Sequence, residues 1–228
     1  MSNRQVVGRD GAGQLVPAAF APDLVTVPLW KRVLDISCLL LVTPVLLPLV
    51  LITALIIKVT SKGPLLFRQE RIGYLGKKFT LLKFRTMKCG SDTGVHEAHV
   101  ASIMDGDRPM TKLDARGDTR VIPFGRVLRS AGIDELPQLI NVLRGEMSLV
   151  GPRPCLPCEY DRHLPWQKER YRTLPGLTGL WQVSGKNRTT FNEMIDLDML
   201  YVRTQSPWLD FKILLKTIPV LIEEVKRK

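Results

Sequence analysis

Asp134 and Glu135 are adjacent carboxylates in the run Arg129-Ser-Ala-Gly-Ile-Asp-Glu-Leu-Pro-Gln138. Carboxylates serve as nucleophiles in phosphoryl transfer, through acyl-phosphate intermediates. A diphosphate repels such a nucleophile until Mg²⁺ and Arg or Lys neutralise it. Arg85, Arg129, Arg153 and Arg188 are candidates for that cage. Two neighbouring negative charges raise one pKa, but arginine, a metal and a helix N-terminus oppose the rise. Asp134 is therefore expected to be ionised at neutral pH. The plain alternative is a helix cap followed by a first-turn acid, which explains most such pairs.

The elements that must hold these groups are legible in outline. Pro137 suits the first turn of a helix, where its missing N–H costs nothing. Leu136, Leu139, Ile140 and Leu143 recur at helical spacing, which predicts a buried apolar face. Gly145 is placed to end that helix. Arg153 stands between two prolines in Met147-Ser-Leu-Val-Gly-Pro-Arg-Pro154, a stiff seat for a guanidinium. Residues 62–70 lead into a strand, Gly73–Gly76 forms a turn, and Lys78–Arg85 alternates as a second strand. Residues 88–118 form a polar loop with a short helix near Glu97–Met104. Tyr160–Arg172, Asn192–Val202 and Trp208–Val225 are predicted helices. The last is basic and apolar, suited either to a membrane interface or to core packing.

The chain of 228 residues is long enough for one domain with an appendage, and 33 basic against 22 acidic residues give a net charge of +11. That charge implies an anionic partner: nucleic acid, a membrane surface or a phosphorylated substrate. Aromatic residues are few and do not alternate with basic ones, which argues against stacking on single strands. The cysteines Cys38, Cys89, Cys155 and Cys158 are too few for a disulfide scaffold. Cys155-Leu-Pro-Cys158 has a metal-site spacing without a second pair; His163 would be a third ligand.

Ile36–Ile57 carries no charge over 22 residues, about 33 Å as a straight helix. Pro44 and Pro48 interrupt it, and the Thr43 hydroxyl can bond a freed carbonyl. Lys31 and Arg32 precede the segment; Lys58, Lys62, Arg68, Arg71, Lys77 and Lys78 follow it. A spanning helix concentrates positive charge on one side. Basic flanks at both ends favour a re-entrant helix that bends and returns to the same face over a spanning one. Asp35 needs Lys31, Arg32 or a distant arginine as a partner, or a place among headgroups. No secretory signal is expected. The reading is thus a mobile N-terminal extension (1–27), a re-entrant membrane helix (28–60) and a membrane-associated catalytic domain (61–228).

In combination the motifs carry a family resemblance over roughly residues 30–222. They are Lys31-Arg-Val-Leu-Asp35, the Pro-broken apolar segment, Lys83-Phe-Arg-Thr-Met87, Asp134-Glu-Leu-Pro-Gln138, Gly145 through Pro154, and Pro175-Gly-Leu-Thr-Gly-Leu-Trp-Gln182. The chain resembles the monotopic polyprenyl-phosphate phosphoglycosyl transferases, the bacterial initiating sugar transferases, and most of all their short exopolysaccharide-type members. The resemblance implies a mostly helical α/β fold: a re-entrant helix-break-helix, then a small cytoplasmic catalytic domain with a short β-hairpin and amphipathic interfacial helices. It implies transfer of a sugar 1-phosphate from a UDP-sugar to undecaprenyl phosphate, releasing UMP, at the cytoplasmic face of the bacterial inner membrane. Asp134 would be the nucleophile that forms a covalent phosphosugar, and Glu135 would help hold Mg²⁺. Lys83, Arg85, Arg129, Arg153 and Arg188 would bind substrate. The sugar would be galactose or glucose, and nucleic acid is not an expected partner. One departure is Asp118-Thr-Arg-Val-Ile122, where family members often read Asp-Pro-Arg-Val-Thr. Two other readings use the same residues. One is a membrane-attached, Mg²⁺-dependent nucleotide-sugar pyrophosphatase with water as acceptor. The other is a non-enzymatic adaptor that binds anionic lipid or nucleic acid.

Overall fold

The structure, a computed structural model, describes residues 7–9, 15–17, 26–88, 94–109 and 120–226. Strands β1 (Val7–Arg9) and β2 (Leu15–Pro17) pair antiparallel within the N-terminal extension. Helix α1 (Leu29–Thr60) follows as one helical element with Pro44 and Pro48 inside it. The Thr43 hydroxyl donates to the Leu39 carbonyl at 2.6 Å, its own i−4 partner. Between the ends of α1, Leu40, Leu41, Val45, Leu47, Leu51, Ile52 and Leu55 are exposed. An apolar surface of that size on one helix marks a membrane or partner contact.

Both ends of α1 are fastened to the rest of the protein. At the N-terminal end, the Lys31 ammonium is fully buried. It donates to Asp210 at 2.7 Å, to the Tyr201 hydroxyl at 2.7 Å and to the Val150 carbonyl at 2.8 Å. Asp35 accepts from Ser148 Oγ at 2.9 Å and from the Leu149 N–H at 2.8 Å, and Arg32 lies 3.8 Å away. Asp35 is therefore a core residue, not a headgroup one. At the C-terminal end, Ile57 packs with Phe84, Ile122 and Leu128.

Strands β3 (Leu66–Ile72) and β4 (Lys78–Phe84) form the expected hairpin around a turn at Gly73–Lys77. The pairs Phe67–Lys83, Gln69–Leu81 and Arg71–Phe79 stand opposite each other, so these six residues share one face of the ribbon. Helix α2 (Gly94–Asp105) covers the helix expected near Glu97–Met104 and is longer. Part of the 88–118 loop, with Asp118, lies outside the described residues. Helices α3 (Gly125–Ser130) and α4 (Gln138–Arg144) flank the carboxylate turn.

Strands β5 (Ser148–Val150) and β6 (Gly176–Thr178) pair in parallel. Their continuations cross so closely that a Cβ on Gly151 would meet the Leu174 carbonyl at 2.3 Å. No side chain fits there without moving backbone. The predicted helix over Tyr160–Arg172 is instead α5 (Pro157–Arg162) and a 3-10 helix over Pro165–Arg172. Pro165 forces Leu164 out of helical geometry, which separates them. Helices α6 (Leu180–Val183), α7 (Phe191–Thr204) and α8 (Pro207–Lys226) complete the chain. Leu39, Leu81, Val142, Met147, Leu149, Val150, Tyr201 and Ile213 form the core that joins α1, β4, α4, β5, α7 and α8.

Candidate active site

Gly132, with φ of +69°, opens a 3-10 turn over Ile133–Glu135 that holds both carboxylates. The Glu135 N–H donates to the Gly132 carbonyl and the Leu136 N–H to that of Ile133, each at 3.1 Å. Pro137 follows and α4 begins at Gln138. The pair thus sits on a separate turn before α4 rather than in its first turn. Helix α4 has only seven residues, so backbone dipoles contribute less here than the sequence reading assumed.

Helix α4 and the residue before it turn only part of the expected face inward: Leu136 and Leu139 pack against the core, and a second set of residues joins them. Gln138, Asn141 and Val142 are buried, whereas Ile140 and Leu143 are 40% and 56% exposed. The reason is Asn141. Its amide donates to the Thr80 carbonyl at 2.8 Å and its oxygen accepts from the Leu82 N–H at 3.1 Å. Asn141 supplies β4 with the partners a neighbouring strand would give, and α4 is clamped to the strand by its polar face. That docking brings Glu135 to Lys83, whose ammonium donates to Glu135 at 2.9 Å.

The arginines fall into different places. Arg129 is half-buried in the last turn of α3. Arg153 is partly open, and its guanidinium grips Glu159 with two bonds of 2.8 and 3.2 Å. Arg85 is buried and donates to the Ser61 and Lys62 carbonyls at 2.9 and 2.8 Å. It holds the end of α1, a task the sequence reading did not foresee for it. Arg188 is exposed on a 3-10 turn over Lys186–Arg188. Lys186 on that turn pairs with Glu224 at 2.8 Å. One turn earlier on the same face of α8, Leu221 reaches Gly132, so α8 spans from the carboxylate turn to the Arg188 turn.

Sequence reasoning gave Arg71 only the role of a flanking charge and did not single out Gln69 or Glu159. Arg71 is buried; it donates to Gln69 Oε1 at 2.8 and 3.2 Å and to the Pro154 carbonyl at 3.2 Å, and lies 3.8 Å from Glu159. The Gln-x-Arg alternation on one hairpin face, shared with Lys83, was the signal available. Burial pushes the Arg71 guanidinium down to about 10, with Arg153 adding to the effect. Burial would raise Glu159, but Arg153 and Arg71 outweigh it and hold the carboxyl at about 2.

No group of three or more His, Cys, Asp or Glu suited to a metal exists among the described residues. This removes the ligand set suggested by Cys155, Cys158 and His163. Instead Cys155 Sγ and His163 Nδ1 each lie 2.8 Å from the Tyr171 hydroxyl. Burial raises the Cys155 thiol to about 11 and, with Arg170, lowers His163 to about 3. Beneath them Arg170 pairs with Asp198 and donates to the Arg153 carbonyl at 3.0 Å. Mg²⁺ requires less of the protein: one or two carboxylates plus substrate phosphates are its usual donors. Glu135, more than a third exposed, suits that donor set.

A family described as bacterial sugar transferase matches residues 26–224. The chain is 45% identical to the UDP-glucose:undecaprenyl-phosphate glucose-1-phosphate transferase of Caulobacter vibrioides, over 87% of this chain and 72% of that one. It is 37% identical to the exopolysaccharide production protein ExoY of Sinorhizobium fredii, over 84% of each. It is 36% identical to the undecaprenyl-phosphate galactose phosphotransferase of Salmonella typhimurium, over 84% of this chain but 40% of that longer one.

Proposed function

Since the chain belongs to the bacterial sugar transferase family and is a phosphoglycosyl transferase, we propose that it moves a hexose 1-phosphate from a UDP-sugar to undecaprenyl phosphate. One observation carries this reading: the family match covers residues 26–224, which take in the apolar helix, the carboxylate turn and most of α8. The relatives' names supply the donor and acceptor classes, with glucose and galactose as sugars.

A carboxylate oxygen of Asp134 attacks the β-phosphorus, and the bond to the bridging oxygen breaks. UMP leaves with that electron pair, and an acyl phosphate joins Asp134 to the sugar. A phosphate oxygen of undecaprenyl phosphate then attacks the same phosphorus and the Asp134 carboxylate departs. Mg²⁺, when bound, neutralises the diphosphate and draws charge onto the leaving oxygen. Glu135 would help hold it. Lys83 orients Glu135, and Arg129 and Arg153 meet phosphate oxygens, as guanidinium forks do.

The acceptor lies in the headgroup plane, so the site must lie there too. The apolar side chains that α1, α4 and α8 leave uncovered, among them Leu143, Trp208, Phe211 and Ile218, support such a placement. Helix α1 is read as re-entrant from the cytoplasmic face. Two prolines lie at its centre, and both its ends are fastened to one catalytic domain, through Lys31 and Asp35 at one end and Ser61 and Lys62 at the other.

The test is intact-mass analysis after mixing with UDP-glucose or UDP-galactose and Mg²⁺, without acceptor. A stoichiometric phosphosugar adduct on Asp134 is expected, absent in Asp134→Asn. Undiminished turnover in that variant would sink the reading. UMP and free sugar phosphate formed without undecaprenyl phosphate would point to a pyrophosphatase. Cysteine labelling of the N-terminal extension from outside the cell only would establish a spanning α1.

A further inference from the structure

Glu159 is fully buried and uses every lone-pair direction the structure supplies with a donor. Oε2 accepts from Arg153 Nη1 at 2.8 Å; Oε1 accepts from Arg153 Nη2 at 3.2 Å and from the Leu156 N–H at 3.0 Å. Arg71 Nη1 stands 3.8 Å from Oε1. One carboxylate therefore faces two guanidiniums. They differ in exposure: Arg71 is closed in, whereas the Arg153 side chain is partly open. The backbone at Arg153 is held as well. Arg71 donates to the Pro154 carbonyl, Arg170 to that of Arg153, and the Ile72 N–H to that of Cys155 at 2.9 Å.

We propose that Glu159 is a positioning residue for the sugar-phosphate site: it fixes Arg153 in a two-bond grip, with Arg71 braced behind, so that the open edge of Arg153 meets the diphosphate in one orientation. The inference rests on the transfer reading above. Charge supports it. Two guanidiniums and one carboxylate leave one positive charge, and only Arg153 presents it outward. A free arginine side chain would lose rotational freedom on binding phosphate; one already gripped does not, and that difference appears as affinity and rate. Arg71, Gln69 and Lys83 share one hairpin face, and Lys83 donates to Glu135 at 2.9 Å. The brace is thereby tied to the carboxylate turn.

The experiment is a double-mutant cycle on UMP release with Glu159→Gln, Arg153→Ala and the pair, in full-length protein, alongside UDP binding by calorimetry. Glu159→Gln should lower kcat/KM ten- to a hundredfold and weaken UDP binding. In the Arg153→Ala background it should change neither by more than about threefold, because the residue it positions is gone. Glu159→Asp should restore part of the loss. A Glu159→Gln enzyme within twofold of wild type would overturn the proposal, and so would an equal loss in both backgrounds. If Glu159→Gln does not accumulate folded, Arg71→Lys takes its place in the cycle, with the same criterion of non-additivity. Wild-type protein that releases no UMP would refute the transfer reading instead, which separates the two failures.

Discussion

Lys83 and Glu135, 52 positions apart, meet at 2.9 Å, and that pair shows how this site divides chemistry from stability. Glu135 is more than a third exposed, so the pair contributes about 0–1 kcal/mol to folding. Lys83→Ala should leave the melting temperature nearly unchanged while kcat/KM for UMP release falls about tenfold or more, since on the proposed mechanism Glu135 loses its orientation. Glu159 behaves in the opposite way. Its folded pKa of about 2 lies below the ordinary 4.5. Its contribution is complete above pH 4.5 and lost as pH falls towards 2. His163, lowered from 6.5 to about 3, acts in the same direction: its contribution is complete above pH 6.5 and lost as pH falls through 3. Thermal melts should therefore show stability declining from pH 6.5 downward. Glu159→Gln should flatten the part below pH 4.5, removing a loss of about 3 kcal/mol at 1.36 kcal/mol per pKa unit. An unaltered acid limb in that variant would contradict the assignment.

At the scale of elements, α4 is the instructive case. Its leucine and isoleucine spacing is that of a core-facing helix, yet Asn141 clamps the other face to β4. A buried polar side chain with its hydrogen bonds made outweighs a few apolar side chains that a membrane can cover instead. In detergent, Ile140→Gln and Leu143→Gln should each shift stability by no more than about 0.5 kcal/mol, the usual effect at an exposed site. The double variant should sediment less completely with liposomes. A loss of several kcal/mol, typical of a core truncation, would show that the helix buries its apolar face after all. The hairpin was legible from alternation and α8 from its basic and apolar spacing; α7 was expected over Asn192–Val202 and runs Phe191–Thr204. The division of 157–172 was not, because the pattern there is polar and only Pro165 marks the break.

For the whole molecule, the fully buried Lys31–Asp210–Tyr201 cluster joins the first turn of α1 to the last two helices. Removing one partner of a buried pair leaves an uncompensated charge and costs about 3–5 kcal/mol. Lys31→Met should lower the melting point in detergent by several degrees. It should also loosen the N-terminal end of α1 from the rest of the protein, read as faster proteolysis near Leu29. Lys31→Met/Asp210→Asn should recover part of both losses. Arg85 closes the opposite end through Ser61 and Lys62. Two anchors on one body hold the apolar helix α1 to the rest of the protein at both ends.

From the sequence alone came the carboxylate pair, the proline-interrupted apolar segment, the basic excess and a motif set specific enough to place the chain in its family. These depend on residue type and local spacing, which the sequence states directly. Tertiary structure decided which cations stand where: Lys83 on Glu135, Arg153 and Arg71 on Glu159, Arg85 on the end of α1. It also decided that Asp35 is a core residue and that α4 leaves Ile140 and Leu143 uncovered. Those outcomes depend on hydrogen bonds between residues far apart in the chain. Local periodicity carries no record of them, because one buried amide or carboxylate with its partners in place can override an apolar pattern of several residues.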